Sequence, residues 1–276
     1  MKTAKLILTI VAVMITAASC GHRQEAQKAL VLYYSQTGNT KMVAEEIATR
    51  MGADVEEILA VNPFEGDFQA TIERCMRERE LGVKTEIQPM ESDFAAYDII
   101  FIGYPVWFGT YAPPVATLLE QIDLSGKKVV PFCTFGSGGL ESSVKDMAAM
   151  QPKAQIMPGY GVRAARMDVM PTEVEQFLLA GGYIEGEYTP LADFGEQHAV
   201  SEDEAAIFNA AVGDYPMIHA EARTVASRTL ANGIEYMFNA VDTPREEGPD
   251  MPPAGDITVY VTVNEGAAPV FTKVIR

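Results

Sequence analysis

Three short stretches hold the residue types that chemistry needs, and the first is Ser35-Gln36-Thr37-Gly38-Asn39-Thr40. The hydroxyls of Ser35, Thr37 and Thr40 can donate to an anion, and Gly38 permits positive φ and close backbone approach. A helix starting here adds free N–H groups aimed at the same point. The chemistry is phosphate binding without Lys or Arg. No Gly-x-x-x-x-Gly-Lys-Ser/Thr occurs, and the first turn lacks Gly-x-Gly-x-x-Gly, so ATP and NAD are poor ligands for this loop. The competing reading is a Ser/Thr-rich turn in which Asn39 or Thr40 only caps the helix.

The second stretch, Gly103-Tyr-Pro-Val-Trp-Phe-Gly-Thr-Tyr-Ala-Pro-Pro114, places Tyr104, Trp107, Phe108 and Tyr111 within one loop, too aromatic for an ordinary exposed turn. Trp107 is the only tryptophan, and its indole can stack on a flat ring with about 1 kcal/mol beyond simple burial. The alternative is that Trp107 and Phe108 merely plug a helix–sheet junction. The third stretch is Thr134-Phe135-Gly136-Ser137-Gly138-Gly139-Leu140, whose three glycines let backbone N–H groups approach a ligand.

Each stretch follows a strand and opens a helix. Leu30 to Tyr34 is a short β-branched and aromatic run, whereas Met42, Val43, Ile47 and Met51 recur at helical spacing. Asp54 to Leu59 reads as an edge strand, and Phe68 to Leu81 as a helix with Ile72, Cys75 and Met76 inward. Tyr97 to Gly103 is a continuous apolar run, as a strand covered on both faces requires. Helix Val115 to Ile122, strand Lys128 to Cys133 and helix Glu141 to Met150 follow. Ala154 to Met157 with Gly161 to Ala164 is expected to be one bent strand, and Pro171 to Ala180 the last helix, with Val174, Phe177 and Leu178 inward. Five strands alternating with helices make a doubly wound parallel α/β sheet, and ligands of such sheets bind outside the strands' carboxyl ends.

The Ser35–Thr40 loop resembles the phosphate loop of flavodoxins, Ser/Thr-x-Thr-Gly-x-Thr, at every defining position, and the resemblance covers roughly residues 28–185. It implies the flavodoxin-like strand order 2-1-3-4-5 and FMN as cofactor. Ser35, Gln36, Thr37, Gly38, Asn39 and Thr40 would hold the phosphate. Pro105, Val106, Trp107, Phe108 and Gly109 would flank one face of the isoalloxazine, with Trp107 stacked and the turn backbone at the ring edge. Thr134, Phe135, Gly136, Ser137, Gly138 and Gly139 would flank the other face. That last loop lacks the Tyr the family commonly stacks there, leaving Phe135 as the substitute ring.

The 276-residue chain has 48% hydrophobic residues and a formal charge of −17, a balance that opposes nucleic acid and anionic membrane surfaces as partners. Residues 1–20 differ in kind: Lys2 and Lys5 precede an apolar run, and Ala17-Ala-Ser-Cys20 resembles a bacterial lipoprotein cleavage box. The expectation is export, lipidation at Cys20 and a place in the cell envelope, with a plain secretory signal as the alternative. Cys75 and Cys133 read as buried structural thiols, and His22, His198 and His219 have no metal spacing. No catalytic residue and no metal ligand is assigned.

The expected organisation is a signal over 1–20, a tether over 21–28, the flavodoxin-like domain over 29–185, a linker over 186–200 and an α+β unit over 201–276. Ser201-Glu-Asp-Glu204 has the form of a capping box before a helix. Strands Ile218 to Leu230 and Ile234 to Val241 are expected to join across Asn232-Gly233, with a second hairpin from Asp256 to Val263 and Pro269 to Ile275 beyond a Pro-rich turn. One helix on a four-stranded meander resembles the cystatin fold, although Arg228 stands where that family's hairpin carries Gln. The reading is an FMN-binding electron carrier or oxidoreductase serving a redox protein or a small acceptor such as a quinone. Its rival is an envelope binding protein whose flavodoxin-like domain has lost the flavin.

Overall fold

The computed structural model describes residues 27–66, 68–213, 215–216, 218–243 and 255–276. The signal with Cys20, the tether up to residue 26 and the Pro-rich turn lie outside the described residues. Among them no helix is long and apolar enough to cross a membrane.

The first unit runs β1 (Ala29–Tyr33), α1 (Asn39–Met51), β2 (Asp54–Glu57), α2 (Phe68–Leu81), β3 (Ile99–Trp107), β4 (Thr110–Tyr111), α3 (Pro113–Gln121), β5 (Lys128–Phe135), α4 (Leu140–Met150), β6 (Gln155–Ile156), β7 (Tyr160–Arg163) and α5 (Met170–Ala180). The parallel sheet has the order β2-β1-β3-β5-β6, with β4 folded back on β3 and β7 beside the end of β5. Counting β6 and β7 together and leaving out the hairpin arm β4 recovers the expected doubly wound order. The expected single bent strand is two strands, because Pro158 and Gly159 interrupt it; a Cβ on Gly159 would lie 2.7 Å from the Pro131 carbonyl oxygen.

Period-two alternation explains both cores. Leu30, Leu32, Ile100, Ile102, Val129 and Cys133 face Cys75 of α2, Leu118 of α3 and Met147 of α4. Val31, Tyr33, Ile99, Phe101, Val130 and Phe132 face Val43, Ala44 and Ile47 of α1 and Val174 and Leu178 of α5. Central strands buried on both faces must be apolar throughout, which is why β1 and β3 show no polar face.

The second unit holds β8 (His198–Ala199), α6 (Glu202–Val212), β9 (Ala220–Leu230), β10 (Gly233–Asp242), β11 (Gly255–Asn264) and β12 (Val270–Ile275). Its antiparallel order is β12-β11-β10-β9-β8. The Ser201–Glu204 capping box is formed, with the Ser201 N–H donating to Glu204 Oε2 at 2.9 Å. Two features depart from expectation. The end of the stretch read as a linker pairs with β9, His198 opposite Val225, and adds a fifth strand. Leu230 pairs with Gly233, so Ala231-Asn232 makes the turn, and Gly233 is needed because a Cβ there would lie 2.2 Å from the Val263 carbonyl oxygen.

Candidate functional site

All three loops leave the carboxyl ends of adjacent strands β1, β3 and β5. At the first, Gly38 adopts φ 92° and caps α1, and nothing lies within 4 Å of where its Cβ would stand. The Ser35 hydroxyl accepts from the N–H groups of Gly38 (3.2 Å) and Lys41 (3.3 Å), which leaves its own O–H free to donate. Thr37 is exposed. The N–H groups of Asn39 and Thr40 belong to the first helical turn and have no intrahelical acceptor. An anion placed there meets free donors and the positive end of a 13-residue helix.

Two side chains expected at the phosphate turn elsewhere. Gln36 donates to the Phe64 carbonyl (2.7 Å) and accepts from the Tyr34 hydroxyl (2.9 Å). Thr40 is 1% exposed, and its hydroxyl pairs with that of Thr134 at 2.8 Å. Gln36 therefore braces the loop. Thr40 ties the first loop to the third while its N–H still belongs to the cradle.

The second loop is a two-residue hairpin: Trp107 pairs with Thr110, and Phe108 (φ 51°) and Gly109 (φ 81°) are both left-handed. That is the type I′ geometry, in which a bulky residue costs about 1–2 kcal/mol. Phe108 is the one non-glycine at positive φ among the described residues, and it is 48% exposed. A strained backbone carrying an exposed ring points to use rather than packing. Trp107 is partly buried, edge-on to Tyr34 (centroids 5.8 Å) and Phe64 (5.1 Å). Tyr104 is fully buried, its hydroxyl 2.9 Å from that of Ser143, and burial drives its phenol pKa far up.

A cavity of about 350 Å³ lies against this hairpin, walled by Trp107, Phe108, Met76, Val83 and Ala116 among others. The Thr110 hydroxyl oxygen in its wall is buried without a hydrogen-bond partner. No residue of the first or third loop lines this cavity, which lies between the second loop and the α2 and α3 residues beside it, apart from the start of α1.

The third loop corrects the sequence reading most. β5 continues to Phe135, so period-two alternation puts that ring in the core beside Cys133, 5% exposed, and removes it as a substitute stacking ring. The glycines admit protein where a ligand was expected. A Cβ on Gly139 would lie 2.5 Å from Val106 Cγ1, one on Gly138 2.2 Å from the Val274 carbonyl oxygen, and one on Gly136 3.2 Å from the Tyr215 hydroxyl. Ser142 donates to the Gly109 carbonyl, which ties the second loop to the first turn of α4. Arg163, Tyr215 and Val274 were not singled out from sequence, because only the fold brings them to this loop.

The architecture and the loop order now coincide with a known family. The family model for Flavodoxin matches residues 28–176, more than half of the chain. The chain belongs to the flavodoxin family. Among solved structures, the chain is similar to a candidate flavoprotein from Bacteroides eggerthii, with 27% identity over 56% of this chain and 97% of that one and a TM-score of 0.48. A flavoprotein from Lactobacillus acidophilus in complex with FMN shares 30% identity over 49% of this chain and 93% of its own, with a TM-score of 0.45. Flavodoxin 2 from Bacillus cereus shares 20% identity over 56% and 97%, with a TM-score of 0.38. No curated protein matches the chain.

Within the flavodoxin unit, the cradle at Gly38 fits a terminal phosphate, because donors and open space coincide there. Phe108 and Trp107 are the two aromatic side chains that the hairpin of the second loop leaves at least partly exposed. Of the two described cysteines, Cys133 is fully buried, and burial pushes the Cys75 thiol up to about 11. Among the described residues no group of three or more His, Cys, Asp or Glu could hold a metal ion.

Proposed function

We propose that the chain is an FMN-dependent electron-transfer protein or oxidoreductase of the bacterial envelope, attached through lipid on Cys20. The observation that carries the reading is the open start of α1, where hydroxyls, free N–H groups and an unfilled Gly38 offer a phosphate site without a cation. Membership of the flavodoxin family supports FMN as the occupant. Ser35, Thr37 and the N–H groups of Asn39 and Thr40 hold the phosphate. Trp107 and Phe108 bound the ring, and the left-handed Phe108-Gly109 turn brings backbone to its edge. FMN supplies the electron chemistry when bound, and the protein supplies position and electrostatics. The charge of −17 favours a basic redox protein as partner, and a small apolar acceptor such as a quinone is the other class.

The test is flavin released by heat from purified protein and identified by chromatography. FMN alone is the expected result, whereas FAD alone, or no flavin after reconstitution with excess FMN, refutes it. Cys20→Ser is expected to move the chain to the soluble fraction, and unchanged membrane association refutes the anchor.

A second reading has one observation in its favour: Gly136 and Gly138 are covered by the C-terminal unit. On that reading the chain is an envelope interaction protein without flavin, its cystatin-like unit binding a partner. Absence of flavin absorbance from both the isolated and the reconstituted protein would select it.

A further inference from the structure

β12 is an outermost strand, and an edge strand leaves a row of N–H and C=O groups without partners. Here the first unit satisfies two of them. The Val274 N–H donates to the Ser137 carbonyl at 2.8 Å, and the Phe271 carbonyl accepts from Arg163 Nη1 at 2.6 Å. The same guanidinium donates from Nε to the Gly136 carbonyl at 2.8 Å. It also lies over the rings of Phe271 (4.3 Å) and Tyr215 (5.2 Å). Lys273 pairs with Glu141, in the first turn of α4, at 3.2 Å. Gly138 completes the fit, because only a residue without Cβ lets the Val274 carbonyl come so close.

We propose that the C-terminal unit is a working part of the cofactor site: β12 holds the Gly136–Gly139 loop in the shape that faces the crevice, and Arg163 is the positioning residue between the two units. This rests on the FMN reading above. Glycine-rich backbone has little conformational preference of its own, so this loop needs an outside template to keep one shape. β12 supplies it with one backbone hydrogen bond, and Arg163 adds two more to carbonyls on either side of the junction. Because the loop joins both the crevice and β12, FMN and the docked tail are linked. Whatever factor docking adds to FMN affinity, FMN adds to docking.

The experiment uses the full chain, as wild type, Arg163→Lys and Arg163→Met, with FMN titrations and hydrogen exchange on each. Arg163→Met is expected to weaken FMN about tenfold. Exchange should rise at residues 136–139 while β9–β11 stay protected, with Arg163→Lys in between. In the wild type, saturating FMN should slow exchange in β12, and in Arg163→Met it should not. A Met variant that melts earlier yet binds FMN with wild-type affinity per folded molecule overturns the proposal and reduces Arg163 to a structural tie. Wild type that binds no FMN after reconstitution removes the flavin reading and this proposal with it, whereas equal binding by wild type and variant removes this one alone. Should Arg163→Met fail to fold, Arg163→Lys keeps the charge but cannot donate to the Gly136 and Phe271 carbonyls at once, and the same readouts on it decide.

Discussion

Gly38 and Gly138 sit in corresponding loops, after β1 and β5 on either side of β3, and the structure uses them in opposite ways. Gly38 holds φ 92° with nothing within 4 Å of its missing Cβ, whereas Gly138 has a carbonyl oxygen 2.2 Å from that point. One glycine is there for its backbone angle and leaves open space, and the other lets a strand from a distant part of the chain press against it. Openness, and not glycine content, separates a ligand cradle from a docking seam.

The largest effect that would break this contrast belongs to Gly138→Ala. The new methyl meets backbone, which has little room to shift, so a loss of about 2–3 kcal/mol in unfolding free energy is expected from denaturant titration. A loss below 0.5 kcal/mol, a threshold of the order expected for an ordinary surface change, would mean the seam is loose. Next is Trp107→Ala, expected to weaken FMN by about 2 kcal/mol, with Trp107→Phe keeping much of the affinity. If Trp107 only packs on Tyr34 and Phe64, the melting temperature of the apo protein falls and affinity per folded molecule stays. Gly38→Ala is smaller: no clash arises, only the cost of φ 92°, so about 1 kcal/mol of apo stability is lost. The smallest effect is on pH. No side chain from Ser35 to Thr40 titrates, so FMN affinity should fall only as the ligand's own phosphate is protonated below about pH 6. The helix terminus then loses about 0.3–1 kcal/mol of interaction. A steep change between pH 7 and 9 in the titration series would point to a titrating protein group at the phosphate.

The sheet was legible because covering both faces forces runs such as Ile99 to Ile102 to be apolar throughout, and a run of that kind leaves few alternatives. The Ser201–Glu204 cap was legible because its partners are three residues apart. Phe135 was misread because β5 runs two residues past the expected end at Cys133, and each added residue changes which side chain faces inward. Phe108 was named for its ring, but its left-handed backbone gave no signal, since Phe-Gly is not the pair that favours a left-handed hairpin turn. At Gly136 and Gly138 the approach of Tyr215 and Val274 was not legible, because these neighbours lie far along the chain, and a glycine next to a ligand is written with the same letter as a glycine next to a strand.

A parallel sheet also gives the first unit a direction. β1 begins at Ala29 on the amino edge, the three loops leave the carboxyl edge, and five extended residues separate the two by about 17 Å. β12 reaches the third loop, so the tail contacts the loop-bearing side. Under the lipid anchor proposed at Cys20, the chain enters the first unit at the sheet edge opposite its three loops.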